Sequence, residues 1–230
     1  ILDIQYVPKV RTWSDISTYV PFNLESVQYI VASPAQSLID TYLMRDGSKW
    51  DEAKSAYENR DPRMDMTIVR HGSIVQKRDG SSYTVNVNPN GASKENKDKI
   101  GHASGSQTGY FYRKYYDPSP SAWTVGTSWS CNINFVTLRY ADVLLMYAEA
   151  LIQTNGDKQT IVKCINAVRQ RANDSRGEDA EAVSRVLTIP DKDLKMVTVN
   201  DDLLEAVKHE RRVELAMEYN RLYDLKRWNC

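Results

Sequence analysis

LRYADVLLMYAEALIQ at residues 138–153, TNGD at 154–157 and KQTIVKCINAVRQRA at 158–172 read as two amphipathic helices around a tight turn. Leu138, Ala141, Leu145, Ala148 and Ile152 step by three and four along one stripe, and Ile161, Ile165, Val168 and Ala172 repeat the pattern on the second helix. In the turn, Gly156 is expected to take the left-handed conformation and Asp157 to cap the second helix. Such a pair is one tetratricopeptide-like unit. It cannot bury both its faces alone, so it must stack on further elements.

The sequence HERRVELAMEYNRLYDLKRW at 209–228 adds a feature that helix pairs do not require. Projected as one helix from Asp202 to Tyr223, at about 100° per residue, it places Leu203, Leu204, Val207, Leu215 and Leu222 on one face. Arg211, Glu214 and Glu218 fall on that same face. Charge inside an apolar stripe is costly unless paired, so these three residues are expected to belong to a buried structural ion network. The catalytic alternative, a coupled carboxylate pair, has arginine within one turn and no adjacent loop to supply a cleft.

Upstream, SPAQSLIDTYLMRDGSKW (33–50) reads as a short helix, with Ser33 as cap, Pro34 at the first position and Asp46-Gly47 as its end. A break at Asp61-Pro62 is expected to precede a strand from Met64 to Arg70. A second strand, Ser82 to Val87, turns Tyr83, Val85 and Val87 inward. Residues of about 88–109 are polar and glycine-rich and are expected to form a mobile loop, and 173–201 is a second polar stretch. In TGYFYRKYYDP (108–118) the aromatics face inward with Arg113 and Lys114 directed outward. The competing reading has those two cations hold a ligand hydroxyl or carboxylate.

Composition narrows the function. With 30 basic and 30 acidic residues among 230, no field favours nucleic acid or an anionic membrane. No apolar run approaches the ~20 residues that cross a bilayer. Cys131, Cys164 and Cys230 form neither a disulfide framework nor a metal pair. His209-Glu210 lacks the second histidine of a zinc helix, and His71 and His102 lie in unrelated loops. No phosphate loop, dinucleotide motif or hydrolase elbow is present. The expectation is therefore no metal, no cofactor and no catalytic residue.

Taken in order, LDIQYV, SPAQSLIDTYLMRDG, YENRDPRMDMTI, TGYFYRKYYDP, FVTLRYADVLLMYAEALIQTNGD, INAVRQRA and HERRVELAMEYNRLYDLKRW resemble the SusD/RagB family of outer-membrane nutrient-binding lipoproteins. Singly, DPR or TGYFYRK is common; the ordered set is specific and spans almost the whole chain. The resemblance implies a mainly α fold of tetratricopeptide-like helix pairs with long loops and a few short strands. It also implies that 1–230 is a single domain, the C-terminal portion of a longer protein. The implied function is non-catalytic binding of an oligosaccharide or polysaccharide at the outer-membrane cell surface, with delivery to a TonB-dependent transporter. Membrane attachment would come only through a lipid anchor outside this chain.

Sugar rings stack their CH faces on aromatic side chains and bond hydroxyls at the edges. Aromatics on loops rather than helix stripes are the candidates: Trp13, Tyr19, Trp50, Trp123 and Trp129, with Trp228 reading as structural. A different class of function, a helical-repeat scaffold that binds a peptide or protein, would use the helix pair at 138–172 instead.

Overall fold

The computed structural model describes residues 1–7, 10–13, 18–25, 30, 32–53, 56–90, 95–119, 131–178 and 194–230. In chain order the elements are β1 (Leu2–Ile4), α1 (Phe22–Glu25), α2 (Gln36–Thr41), α3 (Arg63–Thr67), β2 (Ile68–Val69), β3 (Ile74–Gln76), β4 (Ser82–Thr84), β5 (Phe111–Tyr112), β6 (Phe135–Leu138), α4 (Tyr140–Gln153), α5 (Lys158–Glu178), α6 (Leu203–Glu214) and α7 (Arg221–Arg227). The fold is mostly helical with small two-stranded sheets. It divides into two compact units: one of Ile1–Leu2, Ser37–Met64 and Val136–Cys230, the other of Asp3–Gln36 and Asp65–Phe135.

In the first unit, α4 and α5 pack as the expected hairpin. Leu145, Ala148, Ile161, Ile165 and Val168 are all sealed from solvent, and Val197, Leu203 and Val207 complete the core. The turn departs from expectation. Asn155, not Gly156, takes the left-handed conformation at φ 52°, because Asn tolerates that region and the turn needs only one such residue. Glycine is required next to it for space: a Cβ on Gly156 would lie 2.7 Å from the Leu151 side chain. Asp157 caps α5 by accepting from the Thr160 backbone at 2.8 Å. Asn166 clamps the returning chain, donating to Val197 O and accepting from Val197 N, each at 2.8 Å.

The charged segment is not one helix. Asp202 caps α6 by accepting from Glu205 N at 3.1 Å, and α6 stops at Glu214. Met217 (φ 66°) and Tyr219 (φ 61°) then reverse the chain into α7. Leu222, which the single-helix projection turns inward, is 58% exposed as a result. The break lets Glu218 and Asp224 meet arginines that a continuous helix would carry them past.

Asp224 folds back onto Arg211 of α6, whereas the other arginines come from distant segments. Arg63 holds Asp61 at 2.7 Å and also bonds Glu210 and Glu214. Arg169 holds the other Glu210 oxygen at 2.9 Å. Arg139 bridges Glu214 at 2.7 Å and Glu218 at 2.8 Å, and Arg171 caps Glu214 from the outer side. Four carboxylates thus face four guanidinia, and Glu210 is wholly buried. Arg211 does not join Glu214 and Glu218; it turns to Asp142 at 2.7 Å and Asp224 at 3.0 Å. Burial alone would raise the Glu214 carboxyl, but Arg63, Arg139 and Arg171 override it and hold it at about 2 against an ordinary 4.5.

In the second unit, β2 pairs antiparallel with β5 and β3 with β4. Residues 63–67 form a helix where a strand is expected, because Asp61 caps it: Arg63 N donates to its carboxylate at 3.0 Å, with Pro62 supplying the fixed φ suited to a helix start. The core comprises Val20, Leu24, Val69, Val75, Val85, Val87, Phe111 and Cys131. Val85 and Val87 lie beyond β4 but keep its inward register. The polar segment of about 88–109 has buried anchors among its described residues. Asp98 is 0% exposed and accepts from Asn23 N at 3.1 Å, and the Ser106 hydroxyl donates to Tyr110 O at 2.7 Å.

Glu214→Ala removes one buried partner and orphans the charges around it, so it should destabilise the protein by about 3–5 kcal/mol in denaturant unfolding. The pH dependence has a defined sign. A carboxyl held at about 2 when folded and 4.5 when unfolded contributes stability in full above pH 4.5, and that stability falls away as pH drops towards 2. Urea midpoints measured between those pH values should fall for the native chain, and more shallowly for Glu214→Gln.

Candidate ligand-binding cleft

A single guanidinium frames the loop that follows α2. Arg60, 4% exposed, donates to Ile39 O at 2.5 Å, Ala56 O at 2.8 Å and Tyr42 O at 3.0 Å. One carbonyl belongs to α2 and the other two to the two ends of the loop, so Arg60 ties the loop to the helix before it. Gly47 (φ 84°) turns the chain, and a Cβ there would meet Lys195 at 2.7 Å. Lys195 N donates to Arg45 O at 2.8 Å, tying the segment before α6 to this loop. Trp50 is thereby set with its ring 5.4 Å from the Arg60 guanidinium.

Between this loop and α6 runs a cleft of about 980 Å³, within the first unit. Leu43, Trp50, Val197, Leu225 and Trp228 supply apolar wall, and Asp40, Lys49, Glu205, His209 and Arg212 supply polar groups. Two buried polar atoms of its lining residues lack partners among the described residues. The Trp50 indole N–H is sealed from solvent and donates to nothing among the described residues. His209 Nε2 lies 2.9 Å from Thr41 O, so that nitrogen carries a proton and donates. Burial lowers the affinity of the ring for a second proton, with Glu210 opposing. The neutral ring leaves Nδ1 a bare acceptor, also sealed and unbonded. Both atoms are sealed from solvent, and Nδ1 faces the buried Glu210 carboxylate at 4.0 Å, so what the cleft offers a ligand is aromatic ring surface and the polar side chains of its lining.

Trp228 is engaged otherwise. Its N–H donates to Glu149 at 2.7 Å, and Lys208, Arg221 and Arg227 lie 5.2–5.9 Å from the ring centroid. Trp13 and Tyr19 belong to the second unit and pack on its core. The Trp13 N–H donates to Ile133 O at 3.1 Å, and Tyr6, Tyr115 and Phe135 surround the ring at 5.8–6.0 Å. Tyr19 meets Tyr112 edge-on at 6.4 Å. Trp123 and Trp129 lie outside the described residues. Of the sequence candidates, then, Trp13 and Tyr19 pack on the core of the second unit, and Trp50 lines the cleft of the first. His209 entered the sequence argument only as half of a rejected zinc motif, and nothing local to it reports that Thr41 O lies opposite. Among the described residues no group of three or more His, Cys, Asp or Glu side chains could hold a metal ion, and no helix is long and apolar enough to cross a membrane.

A helix hairpin held by buried arginine–carboxylate pairs, with small sheets on long loops, defines a SusD-like fold. The SusD family model matches residues 9–230, and the chain belongs to that family. It superposes over its whole length on a SusD-like carbohydrate binding protein of Bacteroides fragilis, with TM-score 0.74 and 29% identity, covering 41% of that chain. A second SusD-like protein of the same organism gives TM-score 0.64 and 27% identity, with 43% of its chain covered. SusD-like protein P2 of Formosa agariphila is 32% identical over 114 residues, which are 50% of this chain and 20% of that protein. The chain thus spans less than half the length of each.

Trp13 and Trp50 differ in one testable respect. Replacing either by Phe removes the same ring volume, but Trp13→Phe also strands Ile133 O, whereas Trp50→Phe removes a donor that bonds nothing. Trp13→Phe should therefore cost about 1–3 kcal/mol more than Trp50→Phe in unfolding, and equal losses would show that the Trp50 N–H has a partner.

Proposed function

We propose that this chain is the ligand-binding part of a non-catalytic glycan receptor at the bacterial outer-membrane surface. It passes oligosaccharide to a TonB-dependent transporter and is held to the membrane by a lipid anchor outside the 230 residues. The observation that carries the reading is family membership, joined to full-length superposition on a relative named as carbohydrate binding.

The chemistry of the first unit supports it. An aromatic wall beside polar side chains such as Asp40, Lys49 and Glu205 is suited to a polyol. The most deeply buried carboxylates are locked against arginine, and Glu214, at about 2, carries no proton to give near neutrality. A glycosidase needs a carboxyl with its affinity for protons raised, so that it can act as acid.

One observation favours a peptide or protein ligand instead. Tyr140 (71% exposed), Val143 (42%) and Tyr147 (51%) line one outer stripe of α4 at a spacing that an amphipathic helix could cover.

Calorimetric titration against plant, host and microbial polysaccharides, with product analysis on the same samples, separates these readings. Binding without cleavage is expected. Released oligosaccharide would establish an enzyme, and silence across the panel would move the ligand to the α4 stripe. Trp50→Ala should weaken whatever glycan binding is found, and undiminished affinity would take the cleft out of the receptor reading.

A further inference from the structure

Arg113 follows β5 in the second unit, where its backbone N–H donates to Thr67 O at 2.7 Å. Its side chain has little to hold. Among the described residues the guanidinium makes one hydrogen bond, from Nη2 to Ile74 O, at the outer limit of 3.5 Å. Nε is sealed from solvent and bonds nothing. Nη1 also bonds nothing, yet it is not sealed, so it is the point at which an outside group can reach the cation.

The neighbouring charges leave this cation unmatched. The nearby carboxylate is Asp65, already engaged by Arg70 at 3.1 Å, with both side chains about one-sixth exposed. Among the described residues the charges that act on Arg113 are thus one carboxylate, already paired, and one further guanidinium. Burial pulls the Arg113 guanidinium below its ordinary value; Asp65 opposes and Arg70 reinforces the effect. Contrast Arg63, Arg139, Arg169 and Arg211, each bonded to one or more carboxylates in the first unit. A half-buried arginine with a reachable, unbonded edge and a missing counter-charge lacks one carboxylate.

We infer that Arg113 is the anchor of a subsite for a sugar carboxylate, so that the receptor takes an acidic, uronate-type glycan. The inference rests on the glycan-binding reading and adds the class of sugar to it. The planar carboxylate meets Nη1 and Nη2 in two parallel hydrogen bonds, the geometry that a guanidinium fork offers and an ammonium does not.

The test uses the whole chain and three probes: a galacturonate trisaccharide, the same trisaccharide as its methyl ester, and a galactose trisaccharide. Titrated at one ionic strength, the acid should bind at least about tenfold more tightly than the ester. Arg113→Met should abolish that preference by bringing acid affinity down to that of the ester, and Arg113→Lys should restore only part of it. The acid–ester comparison on the unaltered protein stands even if Arg113→Met fails to fold. Equal affinity for acid and ester overturns the subsite and leaves a neutral-glycan receptor, as does a preference that survives Arg113→Met. No binding of any of the three probes, together with silence across the polysaccharide panel, removes the receptor reading itself.

Discussion

Glu214 has its side chain only 1% exposed and is bonded by three arginines that come from different parts of the chain. Arg63 arrives from the segment before the sheets, Arg139 from the residue that opens the helix hairpin, and Arg171 from the second hairpin helix. No apolar contact could choose these partners, because apolar packing is non-directional. A carboxylate in a low-dielectric site accepts only geometry that answers each of its oxygens. The cage therefore specifies which segments meet. The hairpin, α3 and the break after α6 all take the positions from which their charges can reach it.

The parts of this fold that were legible in the sequence are those governed by local periodicity. Leu145, Ala148, Ile161, Ile165 and Val168 announced the hairpin because a helix exposes its register in its apolar residues. The end of α6 was illegible for the same reason: apolar spacing runs on through Leu222, whereas past the break Glu218 meets Arg139 from a remote segment and Asp224 folds back onto Arg211 of α6. Asp61-Pro62 carried a helix-start signal that reads equally as a simple break, since capping depends on where the carboxylate points. Even the ion network was only half visible. Glu214 and Glu218 could be projected onto one face, but Asp61 and the arginines that answer them had no local mark.

The cleft was less legible still. Loop aromatics could be named, but whether a ring packs or remains available depends on what crosses it. Trp13 is enclosed by three rings and bonded through its N–H, while Trp50 keeps an unbonded N–H in a cavity, and the two are alike in sequence context. Arg113 shows the limit from the other side. The aromatics beside it mark a strand, but its side chain, expected to point outward, has Nε sealed from solvent, and the lack of an answering carboxylate among the described residues is a property of every segment around it.

The loop bearing Trp50 is fixed by one guanidinium on three main-chain carbonyls. Every residue type supplies a carbonyl, so the frame makes no demand on which side chains the loop displays. Scaffold and recognition are thereby uncoupled. Side chains at the rim can be exchanged one by one, with the backbone beneath them unchanged, which lets a single architecture be re-addressed to new molecules without being refolded.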